Sequence, residues 1–108
     1  SVLKDLLRSN NKRITIDEIQ HKVSSYYNLK IEDLISSRRL RSFARPRQVA
    51  MYLSKKLTTR SLPEIGRKFG GRDHTTVIHA VKKIDQLKSE NEKFDEDVNV
   101  LTQIITSS

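Results

Sequence analysis

Apolar residues in this chain recur three and four positions apart, and nowhere do they alternate strictly with polar ones, so the pattern calls for helices and gives no sign of strands. Val2, Leu3, Leu6 and Leu7 make the narrow stripe of a short helix that stops near Asn10 and Asn11. Residues 1–13 therefore read as the end of a connecting helix and residues 14–108 as one domain. Thr15 with Glu18 has the spacing of a capping box, and Ile16, Ile19, Val23 and Tyr26 or Tyr27 then follow at helical spacing as far as Asn28, a residue that tolerates left-handed backbone. Ile31, Leu34 and Ile35 suggest a second, short helix, and SSRRLRSFA after it reads as a loop. Pro46 suits a first helical turn, so a helix is expected from there, with Val49, Ala50, Leu53 and Leu57 on its inner stripe. Ser61 and Glu64 form a second capping box around Pro63, Ile65 and Phe69 face inward, and Gly70 and Gly71 end that helix. From Asp73 the positions Val77, Ala80, Val81, Ile84 and Leu87 define the inner face of a longer helix, and Phe94, Val98, Leu101 and Ile105 that of a closing one. The domain is expected to be all-α, with about six helices.

Within this series, SLPEIGRKFGGRDHTTVIHAVKKI is a short helix, a glycine turn and a longer helix, the plan of a helix-turn-helix unit. In such units the amino end of the second helix reaches base edges in the major groove. The residues there suit that task. A carboxylate at Asp73 can accept from the exocyclic amine of cytosine or adenine, the His74 ring can touch a thymine methyl or bond a base acceptor, and Thr75 has both a hydroxyl and a methyl. Thr76, one step round, is better placed for a phosphate. Asp73 is equally a good N-cap, and its two oxygens allow both roles.

Charge sharpens the picture. Twenty-one Lys and Arg against thirteen Asp and Glu give a formal net charge of +8, which favours an anionic partner. No acidic residue lies between Asp33 and Glu64, an interval that holds Arg38, Arg39, Arg41, Arg45, Arg47, Lys55, Lys56 and Arg60. A run of charge is ordinarily a solvated face. Here most of the residues are Arg, whose planar fork suits phosphates and base edges. A helix starting at Pro46 would also leave the N–H groups of Arg47 and Gln48 for a phosphate, and the start at Ser61 would leave that of Leu62. Other chemistry is absent from the sequence. There is no Cys, so disulfides, thiolate metal sites and thiol catalysis are excluded, a composition that suits a reducing cytosol. His74 and His79 stand five apart and no ligand pattern completes a metal site, so neither metal nor cofactor is expected. Gly70 and Gly71 lack the following Gly-Lys-Ser/Thr of a nucleotide loop, no catalytic motif is present, and no enzyme activity is expected. No apolar run approaches the roughly 18 residues of a membrane span.

GGRDHTTVIHAVKKI, RRLRSFARPRQVAMYL and SLPEIGRKFGG closely resemble the C-terminal DNA-binding domains of the bacterial DnaA replication-initiator family, and the likeness runs from Ile14 onward. The resemblance implies a Trp-repressor-like helix-turn-helix with a basic loop, binding duplex DNA as a monomer at short asymmetric boxes of a replication origin, in the cytoplasm at the nucleoid. Regulation of transcription through the same boxes goes with it. Carried over residue by residue, it assigns base contacts to Arg39 in the minor groove and to Asp73, His74 and Thr75 in the major groove, with Pro63 against a thymine methyl. Backbone contacts fall to Arg47, Gln48, Lys55, Thr58, Leu62 through its N–H, Thr76 and Lys83. Leu40 stands where a small polar residue is expected between the arginines. The resemblance further implies an ATP-binding AAA+ module upstream, regulatory proteins that dock on the DNA-binding face, and acidic phospholipid contact near the linker helix.

Overall fold

Six helices make up the described residues, 13–36 and 41–107, of a computed structural model, and no strand occurs among them. They are α1 (Ile16–Tyr26), α2 (Ile31–Ile35), α3 (Arg41–Leu57), α4 (Leu62–Lys68), α5 (His74–Glu90) and α6 (Glu92–Ser107). The expected linker stripe at Val2 to Leu7, and Arg38, Arg39 and Leu40 of the basic stretch, lie outside the described residues.

Several helices start where side chains satisfy the backbone. Thr15 accepts from the Glu18 N–H at 3.1 Å and opens α1, which stops as Asn28 takes φ +59° and the Leu29 N–H turns back to the Ser24 carbonyl at 2.7 Å. That left-handed step costs Asn less than most residues. The five-residue α2 follows.

Two expectations about the next segment need correction. SSRRLRSFA is not loop throughout, because α3 already begins at Arg41, and Pro46 therefore lies inside the helix instead of starting it. The N–H groups of Arg47 and Gln48 belong to the second turn of α3, where helical carbonyls take them, and so do not form a free helix start. Proline is tolerated here because the bond it forfeits is the one to residue i−4, Ser42. Ser42 is exposed, so water can satisfy its carbonyl. Helix α3 is also more deeply buried than its stripe suggests: Val49 through Ser54 are buried without interruption. It packs against α1, α2, α4 and α5 together, which leaves Met51 and Tyr52 no solvent side to occupy. The one polar member, Ser54, donates to the Ala50 carbonyl at 2.8 Å.

The helix-turn-helix pair follows its sequence signals closely. Ser61 caps α4 and exchanges hydrogen bonds with Glu64 in both directions, at 3.3 Å each. Gly70 (φ +82°) and Gly71 (φ +74°) turn the chain through left-handed backbone, a conformation that a side chain at either position would resist. Gly66 has a different reason to be glycine. The turn passes so close over α4 that a Cβ there would lie 3.0 Å from the Arg72 carbonyl carbon and closer still to its oxygen. The inner face of α5 is as the spacing requires, with Val77, Ala80 and Ile84 buried, and α6 closes the core with Val98, Leu101 and Ile105.

Candidate nucleic-acid interface

Asp73 is the N-cap of α5, and all of its hydrogen bonds fall on one oxygen. Oδ1 accepts from the Thr75 hydroxyl at 2.8 Å, the Thr76 N–H at 3.1 Å and the Thr76 hydroxyl at 3.2 Å. None of the three uses Oδ2, so capping and an outward-facing acceptor coexist on one carboxylate. With its proton committed to Asp73, the Thr75 hydroxyl has only acceptor capacity left to offer, alongside its methyl. Asp73, His74, Thr75 and Thr76 are all exposed, so four consecutive side chains at the amino end of a 17-residue helix are available to a ligand.

The Thr75 hydroxyl, then the Thr76 N–H, hold the Asp73 carboxyl below the usual carboxylate range. The Ser61 N–H and hydroxyl do the same for Glu64. Groups with depressed folded-state values bind fewer protons folded than unfolded, so their stabilisation is present above the ordinary carboxylate value, about 4, and is lost as pH falls through the lower folded values. The melting temperature is accordingly expected to drop as the pH is taken from 5 towards 3 (about one unit either side of that value), and to drop less steeply in an Asp73→Asn, Glu64→Gln double variant. Equal slopes in thermal melts across that range would contradict this assignment.

Around the tip of α5 the basic surface divides into outward and inward members. Lys55, Pro63 and Lys83 are exposed, and Gln48, Thr58 and Leu62 half-buried. At the start of α4, Ser61 occupies the Glu64 N–H and Pro63 has none, which leaves the Leu62 N–H as the donor the cap does not use. Thr58 donates to the Ser54 carbonyl at 2.6 Å, and Gln48 accepts from Arg45 at 2.6 Å. Arg47, Gln48, Thr76 and His79 line one shallow cleft between α3 and α5, and Lys83 follows His79 one turn further along the same helix face.

Arg47 is turned inward. It is 6% exposed, and its guanidinium donates to the carbonyls of Leu34 at 2.8 Å and Asp33 at 3.3 Å. Its first task is therefore to hold α2 against α3, and it can meet a phosphate only from the floor of the cleft. Burial, and then the neighbouring Arg72 charge, lower its pKa. Sequence reasoning assigned nothing to Arg72, whose guanidinium donates to the carbonyls of Phe69 and, at 2.8 Å, of Ser36. An Arg wedged between two turn glycines and an N-cap was the available signal. Arg39 lies outside the described residues. Among the described residues no group of three or more His, Cys, Asp or Glu is placed to hold a metal ion, and no helix is long and apolar enough to cross a membrane.

Residues 16–84, from the first residue of α1 to the buried Ile84 of α5, match the family described as bacterial dnaA protein helix-turn-helix. The chain is 58% identical over 103 residues to the chromosomal replication initiator protein DnaA of Roseobacter denitrificans, covering 95% of this chain and 23% of that protein. It is 57% identical over 104 residues to the DnaA of Ehrlichia ruminantium, covering 96% of this chain and 22% of that one. A solved structure described as a DNA replication initiation factor matches with a TM-score of 0.74 at 32% identity, over 97% of this chain and 32% of the other. The chain thus spans less than a quarter of the length of these curated relatives.

Proposed function

The chain belongs to the bacterial DnaA helix-turn-helix family, and from that premise we propose that it binds duplex DNA at short asymmetric origin boxes as the DNA-reading part of a replication initiator. The observation that carries this reading is the tip of α5, where Asp73, His74, Thr75 and Thr76 are exposed together and Asp73 keeps Oδ2 outside its capping bonds. In the major groove Asp73 accepts from a base amine, His74 meets a base acceptor or thymine methyl, Thr75 offers its methyl to a thymine, and Pro63 packs on a second methyl. Lys55, the Leu62 N–H and Lys83 hold phosphates along the flanks, Thr58 and Thr76 join them by turning hydroxyl protons otherwise given to the Ser54 carbonyl and to Asp73 Oδ1, and Gln48 and Arg47 approach from the cleft. Arg39 enters the adjoining minor groove, where a narrow A·T tract concentrates negative potential.

Chemistry on a nucleotide has no place in this site; ATP-dependent switching belongs to an AAA+ module elsewhere in the full protein. A box without two-fold symmetry suits a monomer, and the same boxes would serve transcriptional control in a cytoplasmic, nucleoid-bound protein.

Phosphate and base contacts separate by their salt dependence. Lys55→Ala is expected to weaken cognate and scrambled duplex alike and to reduce the slope of log K against log salt by about one. Fluorescence anisotropy titrations between about 50 and 200 mM salt check this. A loss confined to the cognate box, with the slope unchanged, would remove Lys55 from the phosphate set.

A further inference from the structure

We propose that Arg60 is a positioning residue for DNA binding: it holds and neutralises the Glu64 carboxylate, which would otherwise repel the strand gripped by Lys55 and Thr58. The inference rests on the DNA-binding reading above. Its starting point is how two acidic helix caps divide their oxygens. At Asp73 the capping bonds all fall on Oδ1 and leave Oδ2 outside them. At Glu64 the bonds from the Ser61 N–H and hydroxyl, at 3.3 and 3.1 Å, both fall on Oε1, and the Arg60 guanidinium stands 3.5 Å from Oε2. The outward oxygen of one cap is thus open, and that of the other is covered. Among the described residues Arg60 is the only cation within ion-pair distance of Glu64. Arg67 lines the same cleft without pairing there, and Lys68 is turned to Asp17 at 3.4 Å.

The position of this pair gives it a function. Glu64 is the first acidic residue after the basic interval that opens beyond Asp33. Thr58 and Ser61 are three residues apart, at most about 11 Å along the chain. The carboxylate bonded to Ser61 therefore lies near any phosphate held by Thr58, at a range over which salt screens charge only partly. The Arg60 N–H also donates to the Thr58 hydroxyl oxygen at 3.3 Å, so one residue joins the phosphate contact to the cap. Both side chains of the pair are open to solvent, 62% for Arg60 and 40% for Glu64, and an exposed ion pair adds little to folding. Its worth lies in the field that a DNA strand meets: with Arg60 the pair is neutral, and without it a carboxylate faces the phosphates. The cap needs only an acceptor at Glu64, which glutamine supplies without the charge.

The test uses the chain as it stands, a duplex box selected from a random pool and a scrambled duplex. Affinities are measured for Arg60→Ala, Arg60→Lys, Glu64→Gln and the Arg60→Ala, Glu64→Gln double variant. Arg60→Ala is expected to weaken both duplexes about fivefold, within the range that couples residues in contact, and the loss relative to wild type is expected to shrink between about 50 and 200 mM salt. Adding Glu64→Gln is expected to return the affinity to within about twofold of wild type, and Arg60→Lys, which keeps the charge, to bind within the same margin. Thermal melts are expected to stay unchanged in Arg60→Ala, which separates this role from one in the fold. A double variant as weak as Arg60→Ala would overturn the proposal and make Arg60 a direct phosphate contact. Wild-type binding by Arg60→Ala, or a Lys variant as weak as the Ala variant, would overturn it equally. A wild-type chain with no affinity for any duplex would instead remove the DNA-binding reading and this inference with it.

Discussion

Gly66→Ala is expected to cost about 3 kcal/mol or more of folding stability, at the upper end of overpacking penalties. The added methyl would meet the Arg72 carbonyl and, at 3.3 Å, the Asp73 carbonyl oxygen, and these neighbours are backbone and not the yielding end of a side chain. The Gly66 carbonyl also accepts from the Phe69 N–H at 3.1 Å and the Arg72 N–H at 2.9 Å, so moving the turn away to make room would break the bonds that close it. For a domain whose whole stability is on the order of 5 to 15 kcal/mol, such a loss is large. Urea denaturation of the two proteins checks it. A midpoint within error of wild type would mean that α4 and the turn separate without cost.

The largest effects on recognition should come from Asp73 and His74. Asn caps a helix about as well as Asp, so Asp73→Asn is expected to preserve the fold while turning an amide donor, in place of Oδ2, towards the base amine. Two donors then face each other. The expected cost on the cognate box is about 1 to 3 kcal/mol, or roughly five- to 150-fold, with little change on scrambled duplex. His74→Ala should lose a similar amount and relax the preference at one or two adjacent base pairs. Neither residue carries buried structure, since both are exposed, and unchanged thermal melts would locate the loss in DNA binding. Equal losses on cognate and scrambled duplexes would mean that these side chains serve general affinity and not readout.

Local chemistry was the legible part of the fold. Thr15, Ser61 and Asp73 cap the helices their spacing announces, and Asn28, Gly70 and Gly71 take the positive φ values their residue types allow, because a cap or a turn is settled within four or five residues. What escaped was decided over longer distances. Pro46 looked like a helix start since proline is favoured there, yet tertiary packing carries α3 back to Arg41. Met51 and Tyr52 fell off the inner stripe because a periodicity allots one face to the core, and α3 is covered on several. The same holds for the site. An exposed tip on α5 follows from residue types and spacing, whereas the direction of an arginine does not. Arg47 reaches carbonyls 13 and 14 residues away and Arg72 one 36 residues away, whereas in sequence Arg47 looks like a member of a solvent-facing basic run and Arg72 simply follows the two turn glycines. Gly66 was passed over for a similar reason, its backbone neighbour being the turn that follows the helix.

Selection of bound duplexes from a random pool at about 150 mM salt, near physiological ionic strength, run in parallel on the wild-type chain and on Asp73→Asn and His74→Ala, tests the α5 tip most directly. The expected outcome is a single short, asymmetric box for the wild type, with information lost in each variant at one or two neighbouring base pairs and kept elsewhere. No enriched box, or the same box recovered undiminished with both variants, would contradict base reading by the amino end of α5.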